Sequence, residues 1–216
     1  MYRQNDEYLK KLKKLIRREF NRLSVMGLDE LNRMRTKEIT TEMFERLTEY
    51  NQRNYEKIAN YVRRYYYRTW LFPEEKKKAN EKKWLATALV ASVLASYNPV
   101  TTYLYKPETQ RKRLRLAEVI GTSVAFHDRK MYRDGLSKSA NLWYTQSMQY
   151  SLDIADESAR QTMKDAGITR VKWVAEKDDR TCADCKELDG TIFDIDSVPE
   201  KPHYNCRCMI IPYREN

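Results

Sequence analysis

Glycine and proline are scarce in this chain, which has five glycines and six prolines among 216 residues. Sandwiches and barrels built from short strands need frequent turn residues, so this composition argues against them. No apolar run is long enough for a membrane span: the most apolar segment covers only residues 84–95, and a span takes about 20 residues. The first residues show no apolar signal segment. We therefore expect long helices joined by short loops, a reducing cytoplasmic setting and no membrane contact.

Sequence motifs of common enzyme classes are also missing. The chain has two histidines, and it contains no phosphate-binding glycine loop, nucleophile elbow or His-Glu-x-x-His motif. His127 lies beside Asp128 and Arg129, a setting that favours a surface or core role over catalysis. The sequence predicts a protein that is not an enzyme.

Positive charge is concentrated in the N-terminal half. Residues 1–115 contain 27 Lys/Arg and 14 Asp/Glu, a balance of +13, whereas residues 116–216 contain 14 and 17, a balance of −3, which together give the net charge of +10. A basic half suggests an anionic partner such as nucleic acid, although a solvated helical surface explains it equally well. The candidate nucleic-acid contacts are Lys13, Lys14, Arg17, Arg18, Arg63, Arg64, Arg111, Lys112, Arg113 and Arg115.

Apolar residues recur at steps of three and four over most of the chain, which predicts a helical body to about residue 167. In the first helix they are Leu9, Leu12, Ile16, Phe20 and Leu23. The predicted elements are a helix over 6–26 ended by Gly27, a helix of about 30 residues reaching Phe72, a helix over 73–97, a loop over 98–106, a helix from Pro107 interrupted by Gly135, and a helix over 136–166 ended by Gly167.

The pattern changes after residue 167. Val171, Trp173 and Ala175 alternate with polar residues, which predicts a strand. Residues 191–193 and 209–211 are further short strand candidates. We therefore predict a mainly α fold, α+β overall, with a long-helix body followed by a small β-rich module. The predicted division is a basic helical region over 1–110, a second helical part over 111–169 and a small β-rich Cys/His module over 170–216.

All four cysteines lie in that last module. Cys182 and Cys185 form a Cys-x-x-Cys pair, and His203, Cys206 and Cys208 follow after 17 intervening residues. Zinc favours four tetrahedral sulfur or nitrogen ligands, so the spacing predicts a structural zinc site. The favoured set is Cys182, Cys185, His203 and Cys206, with Cys208 as the substitute for either of the last two. Disulfides, or free thiols beside a hydrogen-bonded histidine, are the alternatives.

Longer motifs surround these donors. The segment at 173–190 has a tryptophan, then Asp178-Asp-Arg-Thr-Cys-Ala-Asp-Cys185, then Leu188-Asp-Gly, and the segment at 202–208 reads Pro-His-Tyr-Asn-Cys-Arg-Cys. Together they resemble the minor head proteins of tailed bacteriophages, the Mu F-like or phage head morphogenesis family. The resemblance covers about residues 110–213.

The resemblance implies a structural virion component present in few copies, in the capsid interior or at the portal vertex, and in the host cytoplasm during assembly. The implied partners are the portal protein, a coat or scaffolding protein, and DNA contacted without sequence specificity during packaging or delivery. Because the chain ends at Asn216, soon after the last cysteine, we expect no fused toxin or transferase domain. The alternatives are a zinc-stabilised nuclease of the His-Asn-His type, which would need more histidines than His203, and a stand-alone DNA-binding protein.

Overall fold

The computed structural model describes residues 3–33, 36–71 and 107–214. Long helices are followed by a small three-stranded sheet, which confirms the predicted mainly α fold. The helix predicted over 73–97 and the loop predicted over 98–106 lie outside the described residues. The elements are α1 (Arg3–Ser24), α2 (Leu28–Arg33), α3 (Thr36–Tyr66) with a π-helical turn (Tyr67–Leu71), α4 (Pro107–Ala125), α5 (Arg129–Asp165), β1 (Arg170–Val174), α6 (Ala183–Leu188), β2 (Ile192–Asp194) and β3 (Met209–Pro212).

The chain divides into two compact units. One, here called the helical unit, comprises residues 2–56 and 100–150; the other, the module unit, comprises Met1 and residues 57–99 and 151–216. The division at 110/111 and 169/170, which follows sequence character, stays a prediction. No helix among the described residues is long and apolar enough to cross a membrane.

In the helical unit, α1 buries one face. Leu12, Ile16, Phe20 and Leu23 are buried as predicted, and Tyr8 is buried in place of Leu9, which is half-buried. Tyr8 can be buried because its hydroxyl donates a hydrogen bond to Asn51 Oδ1 at 2.9 Å. The other faces of α1 carry exposed basic residues, so the helix is amphipathic as its pattern predicts.

Buried polar side chains link three helices of this unit. Asn51 on α3 accepts the Tyr8 hydroxyl hydrogen and donates from Nδ2 to Ser147 Oγ on α5 at 3.0 Å. The Tyr55 hydroxyl donates to the Ser147 carbonyl oxygen at 3.2 Å. Buried polar groups are costly unless paired, so this chain of hydrogen bonds fixes how α1, α3 and α5 pack in the unit.

The break between α4 and α5 is not where the sequence pattern predicts it. The prediction that Gly135 interrupts the helix is wrong: α5 runs through Gly135, and the chain turns at residues 126–128 instead. His127 there has a positive φ of 49°, and Asp128 Oδ1 accepts the Met131 backbone N–H at 2.9 Å as a helix N-cap. His127 therefore belongs to a turn.

Gly135 is required by close packing of α5 on α4. A Cβ at this position would lie 2.2 Å from Val119 Cγ1, and the β-branched Val119 side chain has few alternative rotamers in a helix. Gly121, in α4, has nothing within 4 Å of its ideal Cβ. The same residue type therefore has opposite packing environments in two neighbouring helices.

Alanine substitutions at these two glycines are expected to act in opposite directions. Gly135→Ala should lower the free energy of unfolding by about 1–3 kcal/mol because of overpacking. Gly121→Ala should raise it by up to about 1 kcal/mol, since alanine favours a helix over glycine. Urea unfolding of both variants checks this pair, and a stabilising Gly135→Ala would contradict the packing.

In the module unit, the sheet has the order β2–β1–β3 and is antiparallel throughout. All three strands were predicted from sequence. Val171 and Trp173 on the central strand are buried, and Trp173 meets Phe193 edge to face at a centroid distance of 6.5 Å. The buried Tyr66 of α3 donates its hydroxyl to the Ile210 carbonyl oxygen at 2.5 Å, which ties α3 to β3.

The end of α5 aims the chain into this sheet. Gly167 adopts a positive φ of 73°, Ile168 N–H donates to the Met163 carbonyl oxygen at 3.0 Å, and Gly167 N–H donates to that of Lys164 at 2.9 Å. This pair of bonds is the Schellman end that glycine permits. It confirms the predicted helix end at Gly167.

Candidate metal centre

The first donor segment is the start of a short helix. Cys182 is the N-cap of α6, and its Sγ accepts the Cys185 backbone N–H at 3.4 Å. This six-residue helix was not predicted from the sequence. Capping at residue 182 points the side chains of Cys182 and Cys185 to the same side.

The second donor segment is a turn around Asn205. Asn205 has a positive φ of 60°, a conformation that asparagine tolerates better than most residues. The turn leaves Tyr204 73% exposed while Cys206 is buried. The ring nitrogen Nδ1 of His203 lies 2.9 Å from the Tyr204 carbonyl oxygen. If Nδ1 holds the proton there, Nε2 keeps a free lone pair, as a metal-ligating histidine requires.

The fold brings all five predicted donors together around Cys185. The donor atoms of Cys182, Cys185 and His203 lie within 4.8 Å of one another, and so do the sulfurs of Cys185, Cys206 and Cys208. Cys185 belongs to both groups. The second group is fully buried, whereas Cys182 is half-buried and His203 exposed. None of the four cysteines forms a disulfide in this structure.

The separations suit a tetrahedral ion. Zinc bonds of about 2.3 Å to sulfur and about 2.0–2.1 Å to nitrogen place two sulfurs about 3.8 Å apart and a sulfur and a nitrogen about 3.6 Å apart. Cys185 Sγ lies 3.5 Å from Cys206 Sγ and 3.4 Å from His203 Nε2. The sulfur-rich donor set is typical of zinc, so these residues fit a metal ion.

Burial disfavours the negatively charged thiolate form of the buried cysteines when no cation is bound. It raises the pKa of the Cys185 and Cys206 thiols, whereas the backbone N–H of Cys185 lowers the pKa of Cys182. A bound cation stabilises the thiolate form of these cysteines, because a thiol that coordinates a metal ion is deprotonated.

An ion pair joins the two donor segments. Arg207, between Cys206 and Cys208, donates from its two terminal nitrogens to the two carboxylate oxygens of Asp178 at 2.7 and 2.6 Å. Asp178 also accepts the Arg180 backbone N–H at 3.1 Å, and the Thr181 hydroxyl oxygen lies 3.3 Å from Asp178 Oδ1. The Arg207 guanidinium holds the pKa of Asp178 well below its usual range. The sequence analysis did not predict this pair, although the motif contains both residues.

Lys201 ties the second segment to α5. Its Nζ donates to the Cys206 carbonyl oxygen at 3.1 Å and lies 2.6 Å from Asp156 Oδ2. Burial raises the pKa of Asp156 to about 6, and Lys201 partly offsets the rise. This contact was also missed by sequence reasoning.

The raised Asp156 pKa predicts how stability changes with pH. An unfolded aspartate titrates near pH 4, so the folded state holds the proton more tightly between about pH 4 and 6. The Asp156 contribution to the free energy of unfolding is therefore full below about pH 4 and falls by about 1–3 kcal/mol as the pH rises through 6.

Urea unfolding between pH 4 and 7 measures that change. The difference in stability between the parent and Asp156→Asn should slope over this range. Asp165→Asn, which removes an exposed acid at the end of the same helix, is the control for loss of one carboxylate. A flat difference for Asp156→Asn would contradict the raised pKa.

The candidate nucleic-acid contacts fall into three groups. Lys13, Lys14, Arg17 and Arg18 lie on the exposed side of α1, and Arg64, Arg111 and Arg115 are also exposed. Lys112 and Arg113 lie in α4, but their side chains are outside the described part of the structure. Arg63 is only 1% exposed, so it is withdrawn from this set of surface contacts.

The region that contains the cluster matches a known protein family. The family model described as Phage Mu protein F like protein matches residues 111–211, a little under half of the chain. This confirms the family resemblance for that part of the chain. No curated protein and no solved structure matches the chain.

Proposed function

We propose, from the match of residues 111–211 to the Mu F-like family, that this chain is a minor head protein of a tailed phage. It acts in head morphogenesis at the portal vertex, as a structural component rather than an enzyme. The portal protein is its main partner, and a coat or scaffolding protein is a second one. The observation that carries this proposal is the match itself, which spans both donor segments and the helices before them.

The metal site has a structural role in this proposal. A zinc ion held by four of Cys182, Cys185, His203, Cys206 and Cys208 joins the α6 segment to the turn at Asn205. The sheet of the module has three strands of three to five residues. A sheet of this size has little apolar core of its own, and metal ligation is a common way to stabilise such small structures.

Nonspecific DNA contact is the second part of the proposal. The side chains of Lys10, Lys13, Lys14, Arg17 and Arg18 are exposed along α1. The acidic Glu19 of the same helix is buried and accepts two hydrogen bonds from Arg46 at 2.9 and 3.1 Å and one from Arg18 at 3.2 Å. A helix surface of this kind suits phosphate contacts, each of which releases counterions from DNA.

The nuclease alternative is less favoured by the geometry at His203. Its Nδ1 faces the Tyr204 carbonyl oxygen and its Nε2 faces Cys185. A histidine used as general base needs a free nitrogen directed at the attacking water. His127, the other histidine in the sequence, lies in an exposed turn of the other unit.

Deletion of the gene from the phage or prophage that encodes it tests the proposal. We expect a large loss of infectious particles, with defective or unfilled heads visible by electron microscopy and recovery when the parent gene is supplied in trans. Normal numbers of filled, infectious heads without the gene would contradict a role in head morphogenesis.

A further inference from the structure

The ion pair between Asp178 and Arg207 occupies a particular place relative to the five donors. Asp178 lies four residues before Cys182, and Arg207 lies between Cys206 and Cys208. The pair therefore joins the segment that leads into the first two donors to the segment that contains the last ones. Its two hydrogen bonds, at 2.6 and 2.7 Å, use both carboxylate oxygens.

We infer that Asp178 and Arg207 are positioning residues for the metal: they hold the two donor segments at ligation distance before the ion binds. This inference rests on the metal site of the proposed function. It adds that affinity for the ion depends on a pair of side chains that do not touch it.

The geometry of the pair restricts both donor segments. A bidentate arginine–carboxylate pair fixes orientation as well as distance, which a single point-charge contact does not. Arg207 has a donor residue on each side in sequence, so fixing its guanidinium restricts the backbone of both Cys206 and Cys208. Both partners are half-buried, with side-chain exposures of 27% and 33%, so solvent competes less than at an exposed pair.

Further hydrogen bonds position the Asp178 end of the pair. Asp178 is held in one orientation by its own loop, because its carboxylate accepts the Arg180 N–H and its carbonyl oxygen accepts the Thr181 N–H at 3.1 Å. The Thr181 hydroxyl donates its one hydrogen to the Glu176 carbonyl oxygen. Thr181 immediately precedes Cys182, so these bonds transmit the position of Asp178 to the first donor.

A comparison within the same loop separates this pair from ordinary surface charge. The Arg180 guanidinium lies 3.4 Å from the same Asp178 carboxylate, but its side chain is 78% exposed. Exposed ion pairs contribute little, whereas loss of residues that orient metal ligands typically weakens metal binding about 10–100-fold. Arg180→Gln is therefore the matched control for Arg207→Gln.

The experiment measures the zinc dissociation constant of the reduced, full-length chain by competition with a chromophoric chelator. Arg207→Gln and Asp178→Asn should each weaken binding about 10–100-fold, Arg180→Gln by less than about fivefold, and Arg207→Lys by an intermediate amount. The double variant should be no worse than the single ones, because both remove one interaction.

A second readout separates positioning from a purely structural role. With zinc in excess of the weakened dissociation constant, the Arg207→Gln module should regain the protease resistance of the parent. If Arg207→Gln does not fold, Arg207→Lys supplies the same test. Parent-like zinc affinity in Arg207→Gln and Asp178→Asn would overturn the inference, as would protease sensitivity that excess zinc leaves unchanged.

Failure of the metal site itself gives a different result. In that case the parent chain also binds no zinc, which shows that the five Cys/His residues do not form a zinc site. That outcome would remove the metal from the proposed function and the positioning role with it, whereas unchanged affinity in the variants would remove the positioning role alone.

Discussion

Replacing Cys185 with serine is expected to abolish zinc binding and to open residues 170–213 to protease while the helical unit stays folded. Cys185 is the donor shared by both groups of three, so its loss leaves Cys182 and His203 in one group and Cys206 and Cys208 in the other, with no sulfur that belongs to both. The loss of zinc affinity should be larger than the fall of about 10–100-fold that follows removal of a residue that only orients the ligands. Cys182→Ser should act in the same direction because it removes a thiolate donor, while the serine hydroxyl can still cap α6.

Thermal unfolding and limited proteolysis of the two variants measure this effect. Lys186→Ala, an exposed change in the same short helix, is the control for general damage to α6. We also expect Cys208→Ser to be milder than Cys206→Ser. If Cys182→Ser and Cys185→Ser both resist protease as the parent does, the structural metal site is wrong.

The second large effect concerns DNA and the exposed side of α1. Each phosphate contact made by a lysine or arginine contributes about −0.9 to the slope of log affinity against log salt for duplex DNA. Changing Lys13, Lys14, Arg17 and Arg18 together to glutamine should therefore reduce the magnitude of that slope by about 3–4 and weaken binding most at low salt.

The matched control removes the same charge from another exposed surface of the same unit. Arg129, Lys130, Arg133 and Lys138 are exposed along α5, and their change to glutamine also lowers the net charge by four. We expect the slope to stay close to that of the parent. Equal losses in both variants would mean that overall charge, rather than the α1 surface, governs binding.

Much of the fold follows from local sequence. The burial face of α1, the 31-residue length of α3, the start of α4 at Pro107 and all three strands were predictable. Each depends on apolar spacing or on the conformational limits of one residue within a few positions. Each of these patterns lies within one helix or one strand, so it can be recognised without knowledge of the tertiary fold.

The features that were missed depend on distant residues. A glycine within a helical pattern suggests a helix break, but Gly135 is there because Val119 on the neighbouring helix leaves no room for a Cβ. Asp178 and Arg207 are 29 residues apart, and no local pattern distinguishes a paired aspartate from a solvated one. Spacing identified the five candidate donors, but their arrangement as two groups sharing Cys185 follows from the tertiary fold.

Co-assembly with phage heads tests the central claim most directly. The chain is expressed with the portal and coat proteins of the same phage, the heads are purified, and its copies per head are counted by mass spectrometry, with the portal present or omitted. The account predicts a few copies per head that are lost when the portal is omitted. Absence from heads that contain the portal would contradict it.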